Sequence, residues 1–140
     1  MASKRETIAA AFATALTGTV NVGTRIFRNL EDALTREDSP SLVVRAVSDI
    51  PERNSLSFID SRLTLSVDIY GRGVDVEAVL DPVAVSAYAK IMTDAGIRAL
   101  VMDIEPGAHN WEFEGADQDA GILTMQFTVL YRHTYGALDV

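Results

Sequence analysis

Two spacings of apolar residues divide the chain. Ile8, Phe12 and Leu16 recur every fourth position, which predicts an amphipathic helix over 4–16. Ser3 and Glu6 stand in the S-x-x-E spacing of a capping box, and Gly18 is a stop signal after the last apolar position. TGTVNVGT (17–24) reads as a turn region punctuated by Gly18 and Gly23. A short strand is expected over 24–28, then polar NLEDALTREDSP (29–40), then a β-branched strand over 42–47. SDIPERNSLSFID (48–60), with Pro51 and Asn54, reads as a longer loop or a hairpin arm. Over 62–70 the alternation is strict, with Leu63, Leu65, Val67 and Ile69 on one side and Thr64, Ser66, Asp68 and Tyr70 on the other. Period two with one apolar face predicts a half-buried antiparallel strand.

The spacing then returns to a helical one. Val76, Val79, Leu80, Val83, Ala87 and Ile91 form one stripe over 76–93. Pro82 lies inside it, so the helix either kinks there or restarts with Asp81 as its cap. Gly96 is the expected C-terminal stop. A strand is expected over 99–104, broken by Pro106 and Gly107, and a last strand over 123–131 with Leu123, Met125, Phe127, Val129 and Tyr131 towards the core. The order is α-β-β-β-α-β-β. Two one-striped helices can cover one face of a sheet, so the expected class is α+β, a mainly antiparallel mixed sheet with two helices packed on one face. No internal repeat or linker interrupts residues 1–140, which read as a single domain.

Composition narrows the chemistry. The chain is 48% hydrophobic and 23% charged, a globular balance with material for one core. It has no cysteine, which removes disulfides, thiolate zinc sites and cysteine nucleophiles. Its net charge of -8 opposes tight binding to phosphate backbones and to anionic membrane. No apolar run approaches the ~20 residues of a membrane span. Lys4 and Arg5 before IAAAFATAL could be taken for a signal peptide with a site at Ala13-x-Ala15. The capping box and the four-residue stripe favour a first helix instead.

The densest polar cluster is Glu112, Glu114, Asp117 and Asp119, just before the last strand. Asp117-x-Asp119 loosely resembles a calcium loop, but Gly121 and Thr128 occupy positions where such a loop needs oxygen ligands. A carboxylate pair for glycoside chemistry would want an aromatic cleft, and only 7% of the chain is aromatic. A solvated loop is the simpler reading, with a weak divalent-cation site as the lesser one. His109 with Glu112 could offer two metal ligands, but the only other histidine is His133. Trp111 and Phe113 read as a strand edge packing on the core. Gly71-Arg72-Gly73 precedes a helix as a dinucleotide loop would, but Val76 replaces the third glycine. No nucleophile elbow, phosphate-binding loop or H-E-x-x-H occurs. No cofactor or metal site and no enzyme activity is expected.

Several segments in series carry a likeness: SPSLVVRAVSD (39–49), SRLTLSVDIYGRG (61–73), VEAVLDPVAVSAYAKIM (76–92) and WEFEGADQDAGILTMQFTVLYR (111–132). In this order and spacing they resemble the tail terminator proteins of long-tailed bacteriophages, the minor tail protein U-like family. The resemblance spans nearly the whole chain and implies an assembly role in the virion, reached from the host cytoplasm. A homo-oligomer, a hexameric ring, would cap the head-proximal end of the tail tube, stop its growth and offer a joining surface to a head-completion or neck protein. DNA would pass through the ring without specific binding. An acidic lining suits that passage, because positive charge would hold the DNA.

Residues expected at the subunit interface or lumen are Arg25, Arg28, Arg45 and Arg72, set against Glu112, Glu114, Asp117 and Asp119. Asp49, Glu52, Arg53 and Asp60 are the expected partner-loop residues, with Asp49, Glu52 and Asp60 the alternative acids for the lumen, and GALDV (136–140) is a second partner-specific stretch. The alternatives are a neck or head-completion connector subunit and, from a different class, a small acidic binding module or an enzyme built on Glu112, Glu114, Asp117 and His109.

Overall fold

A computed structural model describes residues 2–28, 40–114 and 119–140, and of Glu114 the backbone alone. The expected polar stretch at 29–39 and the candidate Asp117 lie outside the described residues. Helix α1 spans Lys4–Leu16. Strand β1 is Ile26–Phe27, β2 Ser41–Arg53 and β3 Phe58–Arg72. Helices α2 (Val76–Thr93) and α3 (Ala95–Leu100) follow. Strands β4 (Asp103–Glu114) and β5 (Ala120–Thr134) complete the fold. The sheet order is β1-β2-β3-β5-β4, antiparallel throughout except for the short parallel β1–β2 pair. The α+β expectation holds, and the described residues add a third, short helix to the two anticipated.

The boundaries of α1 follow from its caps. Ser3 Oγ accepts from the Glu6 amide at 3.2 Å, and Gly18 takes the left-handed conformation (φ 88°) that ends the helix. The capping box is half made, because the Glu6 carboxylate turns away to bind Arg28. In α2, Asp75 is the cap and Pro82 sits on the exposed side of one continuous helix, so the restart at Asp81 does not occur. Gly96 does not stop α2. Asp94 ends it and caps α3 through a 2.9 Å bond from the Ile97 amide. The strand expected at 99–104 therefore begins only at Asp103. Leu100 and Met102 alternate as a strand would, but they are exposed, and a new cap outweighs a short apolar run.

The helices cover one face of the sheet. Leu63, Leu65, Val67 and Ile69 of β3 stand opposite Val129, Phe127, Met125 and Leu123 of β5, and all are buried. Ile8, Phe12 and Leu16 of α1 and Leu80, Val83, Ala87 and Ile91 of α2 close over them. Phe127 is central: Phe12 meets it edge-on with ring centroids 6.0 Å apart, and Tyr88 lies at the same distance. Each such side chain contributes about 1.5–3 kcal/mol by leaving water. Gly71 marks the closest helix–sheet approach, since a Cβ there would stand 2.8 Å from Leu80 Cδ2.

Among the described residues the other face carries no helix and is mostly polar, but Val43, Ser66 and Asp68 on it are buried, so β3 is covered on both sides over 65–69 rather than half-buried as expected. Cross-strand rows on this face include Thr64 beside Thr128, Ser66 beside Gln126 and Asp68 beside Thr124. The sheet also reaches past the helices at one end. The 48–60 segment is a hairpin arm rather than a loop, formed by the ends of β2 and β3 and backed by β5 to Thr134. Both sheet margins discourage further strand pairing. β4 has Pro106 and a register shift before His109, while β2 has a shift at Ala46/Ser48 and then Asp49 and Pro51.

Phe127→Ala should lower unfolding stability by about 3–5 kcal/mol, measured as a fall in urea midpoint at constant slope. Thr128→Ala, one residue along on the open face, removes only its 3.2 Å bond to Thr64 and should cost less than about 1.5 kcal/mol.

Candidate functional site

Polar chemistry collects at the two ends of β3. Its 15 residues at about 3.3 Å each separate these ends by roughly 45 Å. At the base of the arm, on the helix side, Tyr131 Oη donates to Asp49 Oδ2 at 2.7 Å. Arg5 of α1 reaches the same oxygen at 3.3 Å. Asp49 Oδ1 is buried without a hydrogen-bond partner. Beside this pair, His133 Nδ1 faces the carbonyl oxygens of Ala137 (2.8 Å) and Thr134 (3.1 Å). Carbonyls only accept, so Nδ1 carries the proton and Nε2 is left to accept from Ser61 Oγ at 3.3 Å. Arg5, Asp49, Ser61 and His133, with Pro51, Ile59 and Leu138, line an open hollow of about 320 Å³.

Burial first, and then the bond to the Asp49 carboxylate, push the Tyr131 phenol up from 10.0 to about 12. Of these residues the sequence singled out only Asp49 and, within the 136–140 stretch, Ala137 and Leu138 as functional candidates. Tyr131 lies on an ordinary core stripe, and Ser61–His133 is a pair 72 positions apart that only the β3–β5 register brings together.

The arm's outer side is held by ion pairing. Asp60 takes two bonds from Arg132, at 2.7 and 3.2 Å, and one from Asn54 at 2.8 Å. The Arg132 hydrogen bond chiefly holds the Asp60 carboxyl below its ordinary 3.8, and Asp60 in turn raises Arg132. This offsets the like charge of Glu52, directly across from Asp60 in register. Arg53 lies over the Tyr135 ring at 4.1 Å and donates only to the Ser55 and Leu56 carbonyls. Leu56 at the tip is 85% exposed, and Ile50, Phe58, Tyr135, Leu138 and Val140 add further exposed apolar surface at this end.

The arginines expected to face another subunit are mostly committed within their own. Arg25 holds the Pro40 and Asn21 carbonyls. Arg28 grips both Glu6 oxygens and donates to the Val44 carbonyl. Arg45 binds Asp68, which is 1% exposed, at 2.6 Å. Arg72, at the far end of β3, is engaged as well.

At that far end the acid cluster is not simply a loop. Glu112 and Glu114 belong to β4, opposite Ile122 and Ala120, and Asp119 is exposed, its carbonyl accepting from the Gly73 amide at 2.8 Å. His109 and Glu112 stand three residues apart on β4 and so face opposite sides of the sheet. His109 packs edge-on to Tyr88 on the helix side. Of the residues that an enzyme would have used, His109 and Glu112 therefore do not converge, and Asp117 and the Glu114 side chain lie outside the described residues. Among the described residues no group of His, Asp or Glu is arranged to hold a metal ion. Trp111 does not pack on the core as Phe113 does. It is 51% exposed and borders an open groove of about 440 Å³ with Asp75, Glu77 and Asp81 of α2. No family model and no curated protein matches this chain.

Tyr131 provides a pH test. Its folded pKa lies above the unfolded value, so the stabilisation is complete below pH 10 and is lost as the pH rises to about 12. The wild-type minus Tyr131→Phe difference in phenolate absorbance should titrate near pH 12. The wild type should lose stability between pH 10 and 12 more steeply than the variant.

Proposed function

We propose that this chain is a structural phage tail protein, a ring subunit that caps the head-proximal end of the tail tube and joins it to the head. The serial resemblance of four segments motivates the reading. The structural observation that best supports it is the arm, an extension of the sheet beyond its helices that carries exposed Ile50, Leu56 and Phe58. A monomer gains nothing from apolar residues on such an extension, and clustered exposed apolar side chains mark contact surfaces.

The sheet margins add to this. Proline, register shifts and charge on both edges oppose open-ended strand addition, so assembly is left to side-chain surfaces, as a closed ring of fixed size requires. We assign the open sheet face to the bore. Thr64, Thr124, Gln126 and Thr128 give it an uncharged polar centre, with Asp103, Glu105 and Glu112 along its β4 margin, while Ser66 and Asp68 on the same face are buried. Arg45 and Arg132 on that face are neutralised by Asp68 and Asp60. Such a surface repels DNA weakly, and Arg62 at its arm end is the exposed cation left without an ion pair to a described residue. Asp49, on the helix side, is not part of this lining, whereas Glu52 and Asp60 are.

Purified protein added to growing tail tubes should appear by negative-stain microscopy as a ring on one end and should arrest elongation. Rings bound to the portal side of heads and never to tubes would move the protein to the neck instead. Replacing Glu105 and Glu112 together with lysine should leave rings intact and slow DNA release from finished particles; unchanged release would remove the open face from the bore. Because six acidic subunits repel one another, free protein should close into rings more readily as salt rises. Sedimentation between low and moderate ionic strength reads this directly.

A further inference from the structure

The two ends of the sheet complement each other, and we infer that the arm of one subunit docks into the Trp111 groove of the next copy. The inference rests on the ring reading and supplies its subunit contact. At the arm, Arg62 makes no hydrogen bond or ion pair with a described residue, and Arg53 is matched only by backbone carbonyls and the Tyr135 ring. Both are exposed and share a shallow hollow with Glu52 and Asp60, and Arg53 adjoins the exposed tip residue Leu56, so this end offers two cations without an ion pair to a described residue close to apolar surface.

At the opposite end Asp75, Glu77 and Asp81 line one groove with the exposed Trp111. Asp75 is accounted for as the cap of α2, and Glu77 by the positive helix N-terminus. Asp81 is not. It lies beyond the first turn, four residues after Glu77, where like charges on one helix face repel. Neither Glu77 nor Asp81 is ion-paired with a described residue. Carboxylates around an aromatic face match a guanidinium, which binds the acids through its N–H groups and the ring through its cationic plane.

Arm and groove are different patches, so their contact is heterologous, the type that closes a ring when each copy is rotated relative to the last. The contact uses side chains rather than strand pairing at either sheet margin and none of the four arginines bound within the subunit. It also fits the expected dependence on salt: repulsion between acidic bodies opposes closure, while the arm–groove pair fixes which surfaces meet.

Charge reversal on both sides tests the pairing. Arg53→Glu with Arg62→Glu should weaken self-association on the order of tenfold to a hundredfold, read by sedimentation equilibrium and native mass spectrometry. Glu77→Arg with Asp81→Arg should do the same, and the four changes together should restore assembly. All four positions are exposed, and circular dichroism and urea midpoints matching wild type confirm that folding is unaffected. The neutral pair Arg62→Gln and Glu77→Gln gives a milder second measurement, with non-additive losses expected. If the wild type forms rings that neither reversal disturbs, or the combined variant fails to recover, the arm–groove contact is wrong while the ring stands. A wild type that stays monomeric in all salts and on tail tubes overturns the ring and the contact together.

Discussion

The structure depends on the unbroken antiparallel register between β3 and β5. Fifteen residues of β3 pair in sequence from Phe58↔Thr134 to Arg72↔Ala120, with no shift. Because side chains alternate at period two, a single-residue slip would carry Leu63, Leu65, Val67 and Ile69 to the open face and Thr64, Ser66 and Asp68 into the core. The register therefore sets the core, the polar face and the chemistry at both ends at once. It seats Phe127 under Phe12 and Tyr88, brings His133 to Ser61, and carries Asp60 to Arg132.

The long central pair also explains why the molecule has two distinct ends. The helices cover only the middle of the sheet. Beyond them, at the arm, apolar burial is replaced by a set of polar contacts: Arg5–Asp49–Tyr131 inside, Asp60–Arg132 outside, and His133 holding the turn at Ala137. These interactions stiffen an extension that has little core of its own. At the opposite end, α2 begins with carboxylates and the β4 margin ends in them, so negative charge gathers where the sheet closes.

In the assembly we propose, this division of labour separates three surfaces. The polar face meets passing DNA, the arm with its apolar tip reaches the next copy, and the groove receives the arm of the copy before. The acidic net charge then acts on rate and specificity of assembly rather than on the stability of the fold.

The strict alternation at 62–70 and 123–131 and the four-residue stripes of α1 and α2 were legible in the sequence, because periodicity records which face is buried. Caps were legible at Ser3 and Gly18, but not at Asp75, where the sequence offered Asp81 instead. The strand expected at 99–104 went wrong because Asp94 could serve two helices, and whether it does depends on where the chain must turn. The arm was readable only as one of two options, since its residues are not buried on either face and leave no period. Charge content and its exclusions came from the sequence alone. Which charges are free did not: Arg25, Arg28 and Arg45 look like Arg62 in one dimension, and only the folded chain brings carbonyls and carboxylates to the first three. Pairing between groups far apart in sequence is decided by strand register and helix placement, and that is the information a linear pattern lacks.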